Sequence, residues 1–151
     1  MRKTLIAFGL VWLFVWCAIG MLLGSKHLAY IAELETLAKN GEHVKFVQTW
    51  QDWKTRTVNH SHALNFSFLA ILVGLIMPEI GFSDRGKKAI AYALILGTVL
   101  TGIFSWYVRV LPLMGLGNIL ITIAVLASAI GFIRGSKKEE ESEKETNEKE
   151  D

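Results

Sequence analysis

Residues 63–82 read ALNFSFLAILVGLIMPEIGF and decide the fold, because this stretch carries a single charge and is long enough to cross a bilayer as a helix. Three further stretches share its length and apolar character: Thr4–Gly24, Ala89–Val108 and Leu113–Ile133. None of these stretches has the polar face that a helix of a soluble bundle needs. The sequence therefore predicts an all-α integral membrane protein, with a bundle of four transmembrane helices in residues 1–135.

Basic residues flank the apolar stretches in three clusters. They are Arg2 and Lys3, then Arg85, Lys87 and Lys88, then Arg134, Lys137 and Lys138. An even number of spans puts all three clusters on one side, which the positive-inside rule assigns to the cytoplasm. We therefore expect both termini in the cytoplasm and, as the location, a bacterial inner membrane.

The first apolar stretch is expected to stay in the protein as a span. It is long for the apolar core of a signal peptide, and no small-x-small cleavage site occurs around Gly20–Ser25.

Cys17 is the only cysteine, so no internal disulfide can form. We expect Cys17 to be a small buried apolar residue of the first helix.

The connection between the first two spans is predicted to be helical as well. In residues 26–56, apolar residues recur at helical spacing, and Asn40-Gly41 is a good helix stop. The pattern predicts one or two amphipathic helices lying on the outer leaflet, as an anchor or as a lid. By contrast, residues 136–151 lack apolar residues and are strongly acidic, so we expect a disordered cytoplasmic tail.

Two histidines at the start of the second span, His60 and His62, are the best functional clue. Imidazole is a common metal ligand and a frequent axial ligand of haem iron. On a helix the two lie about 200° apart, so they cannot chelate one ion together. A single axial imidazole for haem suits this arrangement better than a dinuclear site.

Haem also requires partners for its propionates, and basic residues are available on the outer side. Lys54, Arg56 and Arg109 fall on that side in the predicted topology, and Arg pairs well with carboxylates. Each of them can equally be an ordinary interfacial cation.

No nucleotide, nucleic-acid or hydrolase motif occurs, and no acidic residue lies mid-span as a proton pump would require.

The second span resembles a known family. The family-like residues are His60-Ser61, Ala63-Leu64-Asn65 and Pro78-x-x-Gly81-Phe82-x-Asp84, which are similar to styrene oxide isomerase over about residues 53–84. The resemblance implies a homo-oligomer of small four-helix membrane proteins with haem b bound through a histidine of the second helix. It also implies that ferric haem acts as a Lewis acid on a small hydrophobic epoxide and that the product is an aldehyde.

The resemblance assigns roles to individual residues. It implies His60 as the iron ligand and Asn65 as the group that orients the substrate. Here Asn65 is one residue closer to His60 than in the family, so His62, which shares a helix face with Asn65, is the alternative ligand. The family's tyrosine of the third helix falls near Phe104, and Tyr107, about one turn further, is the candidate replacement.

Three hypotheses therefore remain open. The first is a haem-dependent epoxide isomerase with His60, Asn65 and Tyr107 in the site. The second is a non-catalytic haem protein for gas sensing, haem handling or electron transfer, which fits the missing hydroxyl at Phe104. The third is a haem-free membrane scaffold in which the histidines only face the wet interface.

Overall fold

The computed structural model describes the backbone of residues 1–107 and 111–150, and the side chains of residues 1–103 and 112–137. These residues form four α-helices and no strand. The helices are α1 (Arg2–Lys39), α2 (His43–Ile76), α3 (Asp84–Tyr107) and α4 (Leu111–Glu150). Each of the four contains a stretch that is long and apolar enough to cross a membrane. The all-helical fold with four membrane-length helices is therefore confirmed.

The connection between the first two spans differs from the predicted surface helices. Residues 26–39 continue α1 without a break, and residues 43–56 are the first part of α2. The helices continue because no proline interrupts either segment, and a helix once formed extends at little cost. We call residues 26–56 the outer hairpin. It lies in line with the two spans, so the prediction of separate helices lying flat on the leaflet is wrong.

The predicted helix stop at Asn40-Gly41 is confirmed. Gly41 has a φ of 70°, which only glycine adopts readily. The amide of Asn40 still donates to the carbonyl of Thr36, and the amide of Glu42 donates to that of Leu37. Lys45 pairs with Glu42 just after the turn, and this hydrogen bond and charge hold the pKa of Glu42 below its usual value.

The outer hairpin is held together by aromatic stacking. The rings of Tyr30 and Trp53 lie 4.4 Å apart and nearly parallel, at 12°. His27 lies 5.6 Å from the same indole. Offset-stacked rings at this distance add specific stabilisation beyond the burial of their area. α1 and α2 therefore remain in contact well past the predicted membrane boundary.

The four helices pack mainly as two antiparallel pairs, α1 with α2 and α3 with α4. Small residues allow the close approach within each pair. A Cβ atom at Gly9 would lie 2.9 Å from the carbonyl oxygen of Ser67, and one at Gly97 would lie 2.7 Å from that of Gly117. α2 and α3 join the pairs around buried Val73, Ala91 and Leu94. Gly9 and Gly97 therefore serve the packing of helices within one chain, as small residues do in many membrane bundles.

One end of the bundle, which we call the basic end, carries all three basic clusters. α2 ends at Ile76, just before Pro78, and the following turn buries Ile80. The amide of Gly81 donates to the carbonyl of Gly131 at 2.7 Å, and Arg134 lies 5.6 Å from the ring of Phe82. Met1 and Arg2 line the same cavity as Pro78. The clusters thus share one end, as an even number of spans requires.

Cys17 and the acidic segment of α4 were also the subject of predictions. Cys17 is exposed on α1, so its predicted burial is wrong, because α1 turns that face away from α2. The backbone of α4 continues as a helix through the acidic segment to Glu150. The disorder predicted for residues 136–151 in solution stays a prediction.

Candidate functional site

The predicted site residues of α2 lie on two different faces of the helix. The sequence predicted that His60 and His62 lie at the start of the second helix. Because α2 begins at His43, both histidines lie in its middle instead. Arg56 and His60 are one turn apart, while His62 and Asn65 occupy the other side. The structure therefore divides these residues into an inner pair, Arg56 and His60, and an outward pair, His62 and Asn65.

His60 lies between α1 and α2. Its ring is 6.3 Å from that of Trp16, and a Cβ atom at Gly20 would lie 2.7 Å from both its Nε2 and Cε1 atoms. Its Nδ1 atom is buried and has no hydrogen-bond partner among the described residues. In this packing the Nε2 atom, the usual iron ligand of a histidine, is directed at the α1 backbone. Ligation of a haem by His60 would require α1 and α2 to separate near Gly20.

His62 and Asn65 form the outward pair on the exposed face of α2. Both side chains are exposed, and they lie three residues apart, close to one another on the helix surface. The ring of Phe66 lies 6.1 Å from that of His62, at an interplanar angle of 17°. An imidazole, a carboxamide and a phenyl ring thus meet on one accessible surface, which starts at the edge of the predicted span.

The neighbouring hydroxyl groups of α2 form hydrogen bonds to the helix backbone, unlike the side chains of the outward pair. Ser61 donates to the carbonyl of Thr57 at 3.1 Å, and Ser67 donates to that of Ala63 at 2.9 Å. Such bonds to the preceding turn satisfy a hydroxyl inside a membrane. Within the part of the chain that the structure describes, His62 and Asn65 have no comparable bond. His62 and Asn65 are therefore polar groups on an exposed face of α2, where a polar side chain is costly if that face meets hydrocarbon.

Arg56 lies in the outer hairpin with aromatic and acidic neighbours. It is exposed and lines an open cavity of about 250 Å³ together with Tyr30, Glu33, Asp52 and Trp53. This position is one turn above His60 and away from the outward pair. A propionate role for Arg56 is therefore compatible with a haem on His60 and less so with one on His62.

The remaining predicted residues come from the end of α3. Tyr107 is the last residue of that helix, and its side chain lies outside the described residues. Arg109 lies outside them entirely. Their predicted roles, substrate handling for Tyr107 and propionate binding for Arg109, stay predictions.

The donor set decides which metal chemistry these residues fit. In the described ranges, no group of three or more His, Cys, Asp or Glu side chains is placed to hold a metal ion. A haem brings its own four nitrogen ligands and needs one protein imidazole. An exposed His62, with an aromatic ring beside it and an amide one turn away, fits that need. A single accessible imidazole is therefore compatible with haem b, and haem binding itself stays a prediction.

Sequence reasoning missed the partners of His60. Gly20 and Trp16 determine where its ring lies, yet they come from another helix and about 40 residues earlier in the chain. The small-residue spacing Gly20-x-x-x-Gly24 was the available signal, but it does not tell which glycine is in contact. In the structure Gly20 meets His60, while a Cβ atom at Gly24 would meet nothing within 4 Å.

Comparison with known proteins adds no assignment. No family model, curated protein or solved structure matches the chain.

Proposed function

We propose that this is a haem b-binding protein of a bacterial inner membrane, with both termini in the cytoplasm. Four membrane-length helices and the three basic clusters at one end support the location and the orientation. The outward pair, His62 and Asn65, is the observation that carries the haem proposal. An imidazole and a carboxamide left open at the surface of an apolar helix are costly unless something covers them.

His62 is the iron ligand in this proposal, and His60 is the alternative. His62 is the more accessible of the two, since it is exposed and the Nε2 atom of His60 is directed at Gly20. Phe66 would pack beside the macrocycle, and Arg109 would pair with a propionate. In this proposal the protein is a homo-oligomer, in which a second copy of the chain would cover the outward pair.

The proposed reaction is the isomerisation of a small hydrophobic epoxide, such as an aryl epoxide, to an aldehyde. When bound, ferric haem supplies a Lewis acid with one open coordination position. Asn65 lies one turn from His62, where its amide would donate a hydrogen bond and orient the substrate. Tyr107, at the end of α3, would supply a second hydrogen-bond donor, its hydroxyl group. Bilayer hydrocarbon and a second copy of the chain around this surface would exclude water and so favour rearrangement over hydrolysis.

A non-catalytic haem protein is the second candidate. It is favoured by Phe104, which has no hydroxyl at the position where the resembled family has a tyrosine. In that case the outward pair would still hold haem, and the protein would sense a gas, handle haem or transfer electrons. Absorption spectra alone do not separate these candidates, so an assay of epoxide isomerisation is needed as well.

The test of the proposal is an absorption spectrum of the detergent-purified protein, with haem added, in the ferric and ferrous states. We expect a stoichiometric Soret band that is lost in His62→Ala and kept in His60→Ala. His43→Ala is the matched control, because His43 is also an exposed histidine of α2 but lies in the outer hairpin.

Each other result has a definite meaning. Loss only in His60→Ala would assign the iron to the inner pair and show that α1 and α2 separate. No Soret band in the unmodified protein would overturn haem binding and leave a haem-free membrane scaffold. A Soret band without conversion of styrene oxide to phenylacetaldehyde would favour the non-catalytic candidate.

A further inference from the structure

The basic end of the bundle contains a cavity that the haem proposal does not use. It has a volume of about 360 Å³ and lies where α1 begins, α2 ends and α3 begins. Its lining includes three cationic side chains, Arg2, Lys87 and Lys88, and one carboxylate, Asp84. The charged lining therefore has a net positive charge, which favours an anionic ligand.

One of these cations is fixed in place. Nζ of Lys87 donates a hydrogen bond to the carbonyl oxygen of Pro78 at 3.0 Å, and the Lys87 side chain is half-buried. This bond connects the first turn of α3 to the turn that follows α2. An ammonium group has three donors, so Lys87 keeps further N–H groups for a ligand. Arg2 and Lys88 are exposed and can close around an anion from the other sides.

The walls of the cavity point to a ligand that is partly apolar. Met1, Met77 and Pro78 also line it, and Met77 belongs to the buried core. On α3, Tyr92 and Leu96 follow Lys88 at four-residue intervals toward the middle of the apolar span. Their side chains are 61% and 52% exposed, respectively. A basic cavity therefore lies directly above an exposed apolar strip of the same helix.

We propose that this cavity binds the phosphodiester headgroup of an anionic phospholipid. The phosphate lies among Arg2, Lys87 and Lys88, and an acyl chain lies along Tyr92 and Leu96. Basic pockets between membrane helices on the cytoplasmic side bind such headgroups through the same combination of charge and depth. Free inorganic phosphate carries the same negative charge, but it has no acyl chain to pack along Tyr92 and Leu96.

The test compares two double substitutions that remove the same charge from the same end. Arg2→Gln with Lys88→Gln removes two lining cations. Lys3→Gln with Arg85→Gln removes two exposed cations that do not line the cavity and serves as the matched control. Delipidated full-length protein in neutral detergent is titrated with phosphatidylglycerol, phosphatidylcholine or inorganic phosphate, and bound ligand is counted by native mass spectrometry.

We expect one tightly bound phosphatidylglycerol per chain, at least about tenfold weaker in the lining variant and changed less than about twofold in the control. Equal losses in both variants would overturn the proposal in favour of diffuse surface charge. Equal binding of phosphatidylcholine to the unmodified protein would overturn the role of charge. Displacement of the lipid by millimolar phosphate would overturn the lipid as the ligand.

A single substitution, Lys88→Gln, still tests the proposal if the double variant fails to fold. Lys88→Gln alters one exposed side chain of the first turns of α3 and leaves the Lys87–Pro78 bond intact. It should weaken phosphatidylglycerol binding by about fivefold. An unchanged affinity in Lys88→Gln would contradict the proposal. The result is independent of haem, since His60 and His62 lie in the middle of α2 and do not line this cavity.

Discussion

The imidazole of His60 rests directly on Gly20, so that a Cβ atom at Gly20 would come within 2.7 Å of Nε2. Gly20→Ala should therefore displace the His60 ring and weaken the α1–α2 contact by about 1 kcal/mol. Gly24→Ala is the control on the same helix, because its Cβ atom would meet nothing within 4 Å. The measurement is the thermal unfolding midpoint of both variants in detergent. Equal midpoints would show that the ring moves aside without cost.

The α3–α4 pair offers a sharper contrast between two neighbouring glycines. A Cβ atom at Gly117 would lie 2.8 Å from the carbonyl oxygen of Gly97, a backbone atom that cannot rotate away. Gly117→Ala should destabilise the protein by about 2 kcal/mol, since the helices must move apart. Gly115→Ala, where the Cβ atom would meet nothing within 4 Å, should have no such effect. Unfolding in detergent measures both, and an unchanged Gly117→Ala would refute this packing.

The stacked rings of Tyr30 and Trp53 should contribute more to the stability of the outer hairpin than the exposed indole of Trp50. Trp53→Ala removes the 4.4 Å stack with Tyr30 and should destabilise the hairpin by about 2 kcal/mol. Limited proteolysis in residues 26–56 should then become faster. In the control Trp50→Ala, a side chain that is 46% exposed is lost, and cleavage should change little. Equal cleavage of both variants would speak against a hairpin held by the stack.

The orientation predicts which residues an impermeant thiol reagent reaches in intact cells. In a Cys17→Ser background, Lys39→Cys at the end of α1 should react at once. Ser83→Cys, in the turn before α3, should react only after the membrane is opened. The two positions lie at opposite ends of the bundle, so each is the control for the other. The reverse pattern would invert the topology.

Propionate binding should depend on Arg109 more than on Arg56. If His62 holds the iron, Arg56 lies on the other face of α2, one turn above His60. Arg109→Ala should lower haem affinity severalfold with the Soret position unchanged, because the axial ligand is retained. Arg56→Ala should leave the affinity nearly unchanged in the same haem titration. A larger effect of Arg56→Ala would favour the inner pair.

Local patterns in the sequence were sufficient for the number of membrane-length helices and for the turn at Asn40-Gly41. Both follow from apolar length and from a residue that tolerates positive φ. The course of the outer hairpin was not predictable in this way. The spacing of Leu28 and Leu34 indicates a helix, but it does not tell whether that helix bends onto the membrane or continues from the span.

The candidate residues could be named from the sequence, but their arrangement could not be predicted from it. Helical geometry alone separates His60 from His62 by about 200° and pairs each with a neighbour. Which histidine is covered depends on Gly20 and Trp16, which reach it only through the antiparallel packing of α1. Contacts between distant parts of the chain are not encoded in the periodicity of either helix.

The packing of neighbouring helices in pairs has a consequence for biosynthesis. α1 meets α2, and α3 meets α4, so each close interface forms between helices that leave the ribosome consecutively. The glycine contacts of the first pair join two segments that are both synthesised before α3. Insertion as two successive helical hairpins, α1–α2 and then α3–α4, is therefore the order that this packing favours.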